Sequence, residues 1–195
     1  MKEAATIRDS VVDTARPGRR TRLERATLRE ILMGAQDNLT NVLAVVLGVA
    51  IGAGRSDLVA LAGLAAGVAE AISMGGVLYT STRAELDLEA RVLGESAADG
   101  PAARQRRLSP AQAGIVCFGA AIVAGLIPLI PFVFLSLQAA VVTCFVISIL
   151  ALFGVGSWVG GVTGRGPWRD GLRLVLIAGT AALAAAVIGM ILRID

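Results

Sequence analysis

Five apolar stretches limit what this chain can fold into more than any other feature. They lie at residues 31–53, 58–82, 111–135, 138–161 and 172–192 of a 195-residue sequence, and each has about the 20 residues that a helix needs to cross the roughly 30 Å hydrocarbon core of a bilayer. A segment in hydrocarbon must satisfy its own backbone polar groups, so stretches of this length are expected as helices. Hydrophobic residues make up 55% of the chain and charged residues 17%, with 23 glycines besides, which takes the composition out of the soluble globular range. The sequence is that of an all-α integral membrane protein with five transmembrane helices. A polar segment at 1–29 precedes a five-helix domain at 30–195.

The connections set the orientation. Gly54-Arg55-Ser56-Asp57 joins a glycine stop to helix-start residues, and Leu135-Ser136-Leu137 is barely a turn; both are expected to be tight hairpins. Residues 1–30 carry 8 Lys and Arg, the 83–110 connection carries 5 and the 162–173 connection 3, whereas the other side holds only Arg55 and Arg193. The positive-inside rule then puts the N-terminus in the cytosol and the C-terminus on the far side. The run Arg19-Arg20-Thr21-Arg22 has the chemistry of an anionic-lipid or nucleic-acid contact. It is read as a positive-inside anchor with a short interfacial helix near residues 23–30, and no nucleic-acid partner is expected. A cleavable signal peptide is not expected either, because the first apolar run starts only at Ile31 and contains Asp37.

Histidine is absent and there are two cysteines, which removes His-based acid/base catalysis, His-ligated metals, Cys₄ zinc sites and iron–sulfur clusters. No nucleophile–base pair and no cofactor fingerprint remains, so an enzyme is not expected, nor a tightly bound cofactor. Cys117 and Cys144 fall inside apolar spans and read as small packing residues. Glycine pairs four apart, Gly48/Gly52, Gly63/Gly67 and Gly156/Gly160, suit close helix contacts.

Two carboxylates lie within the spans as drawn, Asp37 and Glu70, each costing about 2.5–3.5 kcal/mol near mid-bilayer on insertion scales. Helical periodicity places Met33, Asp37 and Asn41 on one face, and Glu70 with Met74 on a face of the second helix. Carboxylate and amide oxygens with thioether sulfurs would suit a borderline divalent cation such as Fe²⁺ or Mn²⁺ better than Ca²⁺ or Mg²⁺. The other reading of these residues is structural: Asp37 capping or snorkelling, and the methionines filling gaps. In the third span, Pro128 and Pro131 remove the hydrogen bonds to the carbonyls of Ala124 and Ile127, leaving groups that a neighbour, water or an ion must satisfy. The stretch 83–91, with Glu85 and Glu89 on one face, continues the second helix as a solvated helix or a cation-collecting surface.

These residues together resemble the vacuolar iron transporter family of five-helix Fe²⁺ and Mn²⁺ carriers. Its Gly-Ala/Thr-Asn-Asp-Gly pattern reads here as Gly34-Ala35-Gln36-Asp37-Asn38. Its Ser-Met segment and cytosolic continuation read as Ala69-Glu70-Ala71-Ile72-Ser73-Met74-Gly75 and Tyr79-Thr80-Ser81-Thr82-Arg83-Ala84-Glu85. Its Gly-x-Leu-Ile-Pro-Leu-x-Pro-Phe signature reads here as Gly125-Leu126-Ile127-Pro128-Leu129-Ile130-Pro131-Phe132, and its Thr-Gly-Arg-x-Pro…Gly-Leu-Arg turn stands at 161–173. The family's Gly-Glu-Tyr element is Val77-Leu78-Tyr79 here, and the 83–110 connection is too short for the Glu-rich metal-binding domain of some members. The resemblance implies a homodimer with its pathway around the first two helices of both subunits, and exchange of metal for protons. Asp37, Glu70, Met74, Met33 and Asn41 are the expected metal contacts, with Fe²⁺ or Mn²⁺ moved out of the cytosol as substrate. The alternative is a non-transporting scaffold or partner subunit whose acids pair with other chains. Short length and an Arg/Ala-rich composition point to a bacterial inner membrane.

Overall fold

A computed structural model describes residues 19–93 and 108–193, with side chains from Thr27 to Val92 and from Leu108 to Arg193. The described chain is helical, with α1 at Arg19–Ala53, α2 at Ser56–Leu93, α3 at Pro110–Leu126, α4 at Pro131–Phe134, α5 at Leu137–Thr163 and α6 at Pro167–Ile191. A 3₁₀ turn, Ile127–Leu129, links α3 to α4. Five helical segments are long and apolar enough to cross a membrane, α3 and α4 acting as one.

Helix α1 passes through residues 29 and 30 without a break, so the short, separate interfacial helix expected near residues 23–30 is instead its first turns. Between Arg19 and Met33 there is no glycine or proline, and the residues are mostly good helix formers, so nothing interrupts the ladder. At 38 residues, α2 is about 57 Å long at 1.5 Å per residue, and its last turns, the stretch 83–93, outrun the hydrocarbon core. Residues 1–18, including most of the basic N-terminal segment, 94–107 and 194–195 lie outside the described residues.

The turns follow from local chemistry. Gly54 ends α1 with a φ of 62°, a left-handed conformation open to glycine. Arg55 then grips Asp57 through one guanidinium edge, Nε and Nη2 each donating to a different carboxylate oxygen, and these hydrogen bonds raise the affinity of its guanidinium for its proton still further. Ser109 opens α3 with a capping box: its hydroxyl accepts from the Gln112 N–H at 3.2 Å while Gln112 Oε1 accepts from the Ser109 N–H at 3.0 Å.

Helix α1 is the axis of the bundle, touching every other spanning helix, while α2 pairs with α3 and α5 with α6. Its Val42, Leu43, Val46, Leu47 and Ala50 form the core with Val59, Phe132, Ala140, Cys144 and Ala182. Close approach depends on small residues. A Cβ at Gly189 would collide with the Gly48 carbonyl, and one at Gly156 would stand 2.7 Å from the Asp170 carbonyl. Large apolar residues such as Leu61, Ile115, Val133 and Ile191 point outward, the inverse of a soluble fold and the surface that lipid covers. Cys117 and Cys144 are free and buried, as packing residues.

In the proline segment a backbone neighbour, one of the partners the sequence reading allowed, satisfies the freed carbonyl of Ala124. The Ala124 carbonyl, which Pro128 cannot reach, accepts the Ile127 N–H. Tightening from α to 3₁₀ geometry lets a donor three residues on replace the missing one four residues on, so this carbonyl needs no ion or water.

Candidate functional site

Helix α1 can carry polar groups because it is surrounded by protein over most of its circumference. Asn38 is fully buried. Its Nδ2 donates to the Gly67 carbonyl of α2 at 2.9 Å and the Ala121 carbonyl of α3 at 2.7 Å. Two carbonyl partners fix the amide orientation, since only the NH₂ group can donate to both. Gly125 makes the room: a Cβ there would lie 2.6 Å from Asn38 Nδ2. Asn38 Oδ1 is buried without a partner.

One turn further along, Asn41 Nδ2 donates to Glu70 Oε2 at 3.3 Å. Glu70 and Met74 are half-buried on the flank of α2 that also buries Gly67, Ala71 and Leu78. Of the five expected metal contacts, the structure therefore joins Asn41 and Glu70 across the α1–α2 interface, with Met74 one turn beyond Glu70. Asp37 is exposed, and Met33 is 38% exposed on the same side of α1; neither is brought against Glu70 by a recorded bond. Among the described residues no group of three or more His, Cys, Asp or Glu side chains is placed to hold a metal ion.

Sequence reading missed Glu30. Only 6% of it is exposed, and its Oε2 is buried with no hydrogen-bond partner. It lies one turn before Gly34, whose bare Cα is packed against the Cys117 carbonyl and sulfur. The charges of Arg29 and, less strongly, of Glu85 on α2 act on Glu30, and the charges of Glu30 and Asp37 both act on Cys117. Starting the first span at Ile31 put Glu30 outside it. The signal was available, because Glu30 precedes Asp37 by two helical turns and so shares its face. Glu85, Glu30, Asp37, Asn41 and Glu70 thus form a polar stripe along α1 and the neighbouring flank of α2, rising from the arginine-rich end into the bundle.

The fold and this stripe define a multi-pass membrane protein with ionisable side chains set among its helices. The chain belongs to the VIT family, whose model matches residues 28–100 and 93–190. It is similar to vacuolar iron transporter homolog 4 of Arabidopsis thaliana, 32% identical over 163 residues that cover 80% of this chain and 79% of that protein. It is also similar to vacuolar iron transporter 1 of Oryza sativa subsp. japonica, 27% identical over 81% of this chain and 82% of that one. Vacuolar iron transporter homolog 1 of the same rice is 33% identical over 80% and 69%. The match over residues 28–190 is therefore to the family to which the separate motifs pointed.

Proposed function

We propose that the 30–195 unit carries ferrous iron, and Mn²⁺ by the same chemistry, out of the cytosol in exchange for protons. The observation that carries this reading is the Glu70 carboxylate held by Asn41 between α1 and α2, in a chain whose relatives are named iron transporters. Asn41 occupies one carboxylate oxygen of Glu70 and leaves the other for a cation. The Met74 sulfur one turn away favours a borderline metal over Ca²⁺ or Mg²⁺.

The exposed Asp37 and Met33 supply the rest of the reading. A charged side chain on the outer surface of a spanning helix is costly against lipid and is normally turned toward protein or water. A second copy packed on this side of α1 would cover both and bring a second Asp37 and Glu70 to the same path, which supports a homodimer. The arginine-rich side, with the N-terminus, faces the cytosol. There Glu85 and the buried Glu30 begin the path.

Divalent metal bound to a carboxylate favours its charged form, so metal arrival releases protons and metal departure readmits them. The test is Fe²⁺ or Mn²⁺ uptake into proteoliposomes with a pH dye inside, comparing the parent chain with Glu70→Gln and Asp37→Asn. Metal flux should fall at least tenfold in Glu70→Gln, with loss of the coupled pH signal. Unchanged flux and pH dependence in both variants would overturn the reading.

A further inference from the structure

We propose that the cleft between α1, α3 and α5 is a binding site for one anionic phospholipid, with its phosphate at Arg29 and an acyl chain in the trough above. Helices α3 and α5 both pack on α1 but make no substantial contact with each other, which leaves a gap over α1. The gap holds an apolar cavity of about 520 Å³, walled by Ala35 and Leu39 of α1, Gly119 and Val123 of α3, and Ala151 and Val155 of α5. A second cavity of about 440 Å³ lies between α1 and α5, with Leu28, Leu32, Val159 and Val162 as its apolar walls and Arg29 and Thr163 at its polar mouth. Val159 is one turn from Val155 and Leu32 lies within a turn of Ala35, so the two spaces follow one another along the same pair of helices. Each is within the roughly 300–1,000 Å³ typical of small-molecule sites.

Shape and charge together select the occupant. A greasy trough that ends in a guanidinium at the membrane edge matches an acyl chain that ends in a phosphate there, and arginine forms paired hydrogen bonds with phosphate oxygens. Exposed Arg165 and Arg169 follow Thr163 in the next turn and add positive charge at the same end. Trp168, 77% exposed beside them, marks the headgroup level, where tryptophan concentrates. Glu30, the acid adjacent to Arg29, is buried, whereas Arg29 is exposed and open to a phosphate. The trough stays open beside a second copy, because Ala35 and Leu39 lie on roughly the opposite side of α1 from Asp37 and Met33 at 3.6 residues per turn, while Arg29, one turn before Met33, stands at the edge between the two surfaces. The site is independent of the transport reading.

The experiment is native mass spectrometry of the full chain in mild detergent, titrated with phosphatidylglycerol or phosphatidylcholine of matched oleoyl chains. One phosphatidylglycerol per chain should survive activation that strips phosphatidylcholine. Arg29→Gln should reduce that occupancy at least fivefold, and Ala120→Leu, at a further residue of α3 that lines the trough and fills it without altering charge, should do the same. Arg193→Gln, an equal charge change at the other end of the bundle, should leave it intact. Equal retention of the two lipids, retention unaffected by Arg29→Gln, or the same loss in Arg193→Gln would each overturn the proposal. If Ala120→Leu fails to give monodisperse protein, the two arginine variants decide.

Discussion

Asn38 and Glu30 are both buried polar residues on α1, yet their hydrogen-bonding states lead to opposite expectations. Asn38 donates to two carbonyls on two other helices, so Asn38→Ala removes both bonds and opens a gap beside Gly125. Interhelical hydrogen bonds in membranes average about 0.6 kcal/mol with a maximum near 1.7, so the loss should be about 1–3 kcal/mol, read as a lower thermal midpoint in detergent. Glu30 has a buried oxygen with no partner. Glu30→Gln keeps its volume and removes the charge that burial penalises, so the thermal midpoint should hold or rise while metal uptake falls at least tenfold. Loss of stability together with uptake would make Glu30 a structural residue. The sequence marked Asp37, Glu70, Met33, Met74 and Asn41 through helical spacing. It did not mark Glu30, because apolar runs define spans by composition, and a carboxylate at a span's edge looks like the start of solvent until packing shows what covers it.

Among the elements, the contact between α1 and α6 is set by glycine. Gly48 and Gly189 bring their backbones together where a Cβ at Gly189 would strike the Gly48 carbonyl. Gly189→Val should therefore force the helices apart and lower stability by about 1–3 kcal/mol, the usual cost of overpacking. Gly154→Ala, at a position where a Cβ meets nothing, should change the thermal midpoint little. The pair comparison is a thermal melt in the same detergent. Sequence spacing pointed to Gly48/Gly52, Gly63/Gly67 and Gly156/Gly160 as contact surfaces, but which helix each one meets is a property of the bundle. The proline pair shows the same limit: sequence gives the missing donors at Pro128 and Pro131, while the switch to a 3₁₀ turn that rescues the Ala124 carbonyl arises from how the chain re-hydrogen-bonds.

At the scale of the whole molecule, the bundle places the α1–α2 turn and the α5–α6 turn at opposite ends, separated by odd numbers of spans. Arg55→Cys and Arg165→Cys should thus react with an impermeant maleimide from opposite sides of sealed vesicles. Native Cys117 and Cys144 are buried and should stay silent until the protein is denatured. Labelling of both positions from one side would break the five-span arrangement. Membrane class, five spans and the charge asymmetry were legible in the order of residues along the chain, because lipid leaves a chain no way to satisfy its backbone except within each segment. Which of its own residues α1 buries, that Asn41 meets Glu70, and that α3 and α5 leave a cleft between them depend on how the helices pack. A 100° periodicity assigns residues to faces, but only the tertiary structure decides what each face touches, since in a bundle any apolar face can serve equally well against lipid or against another helix.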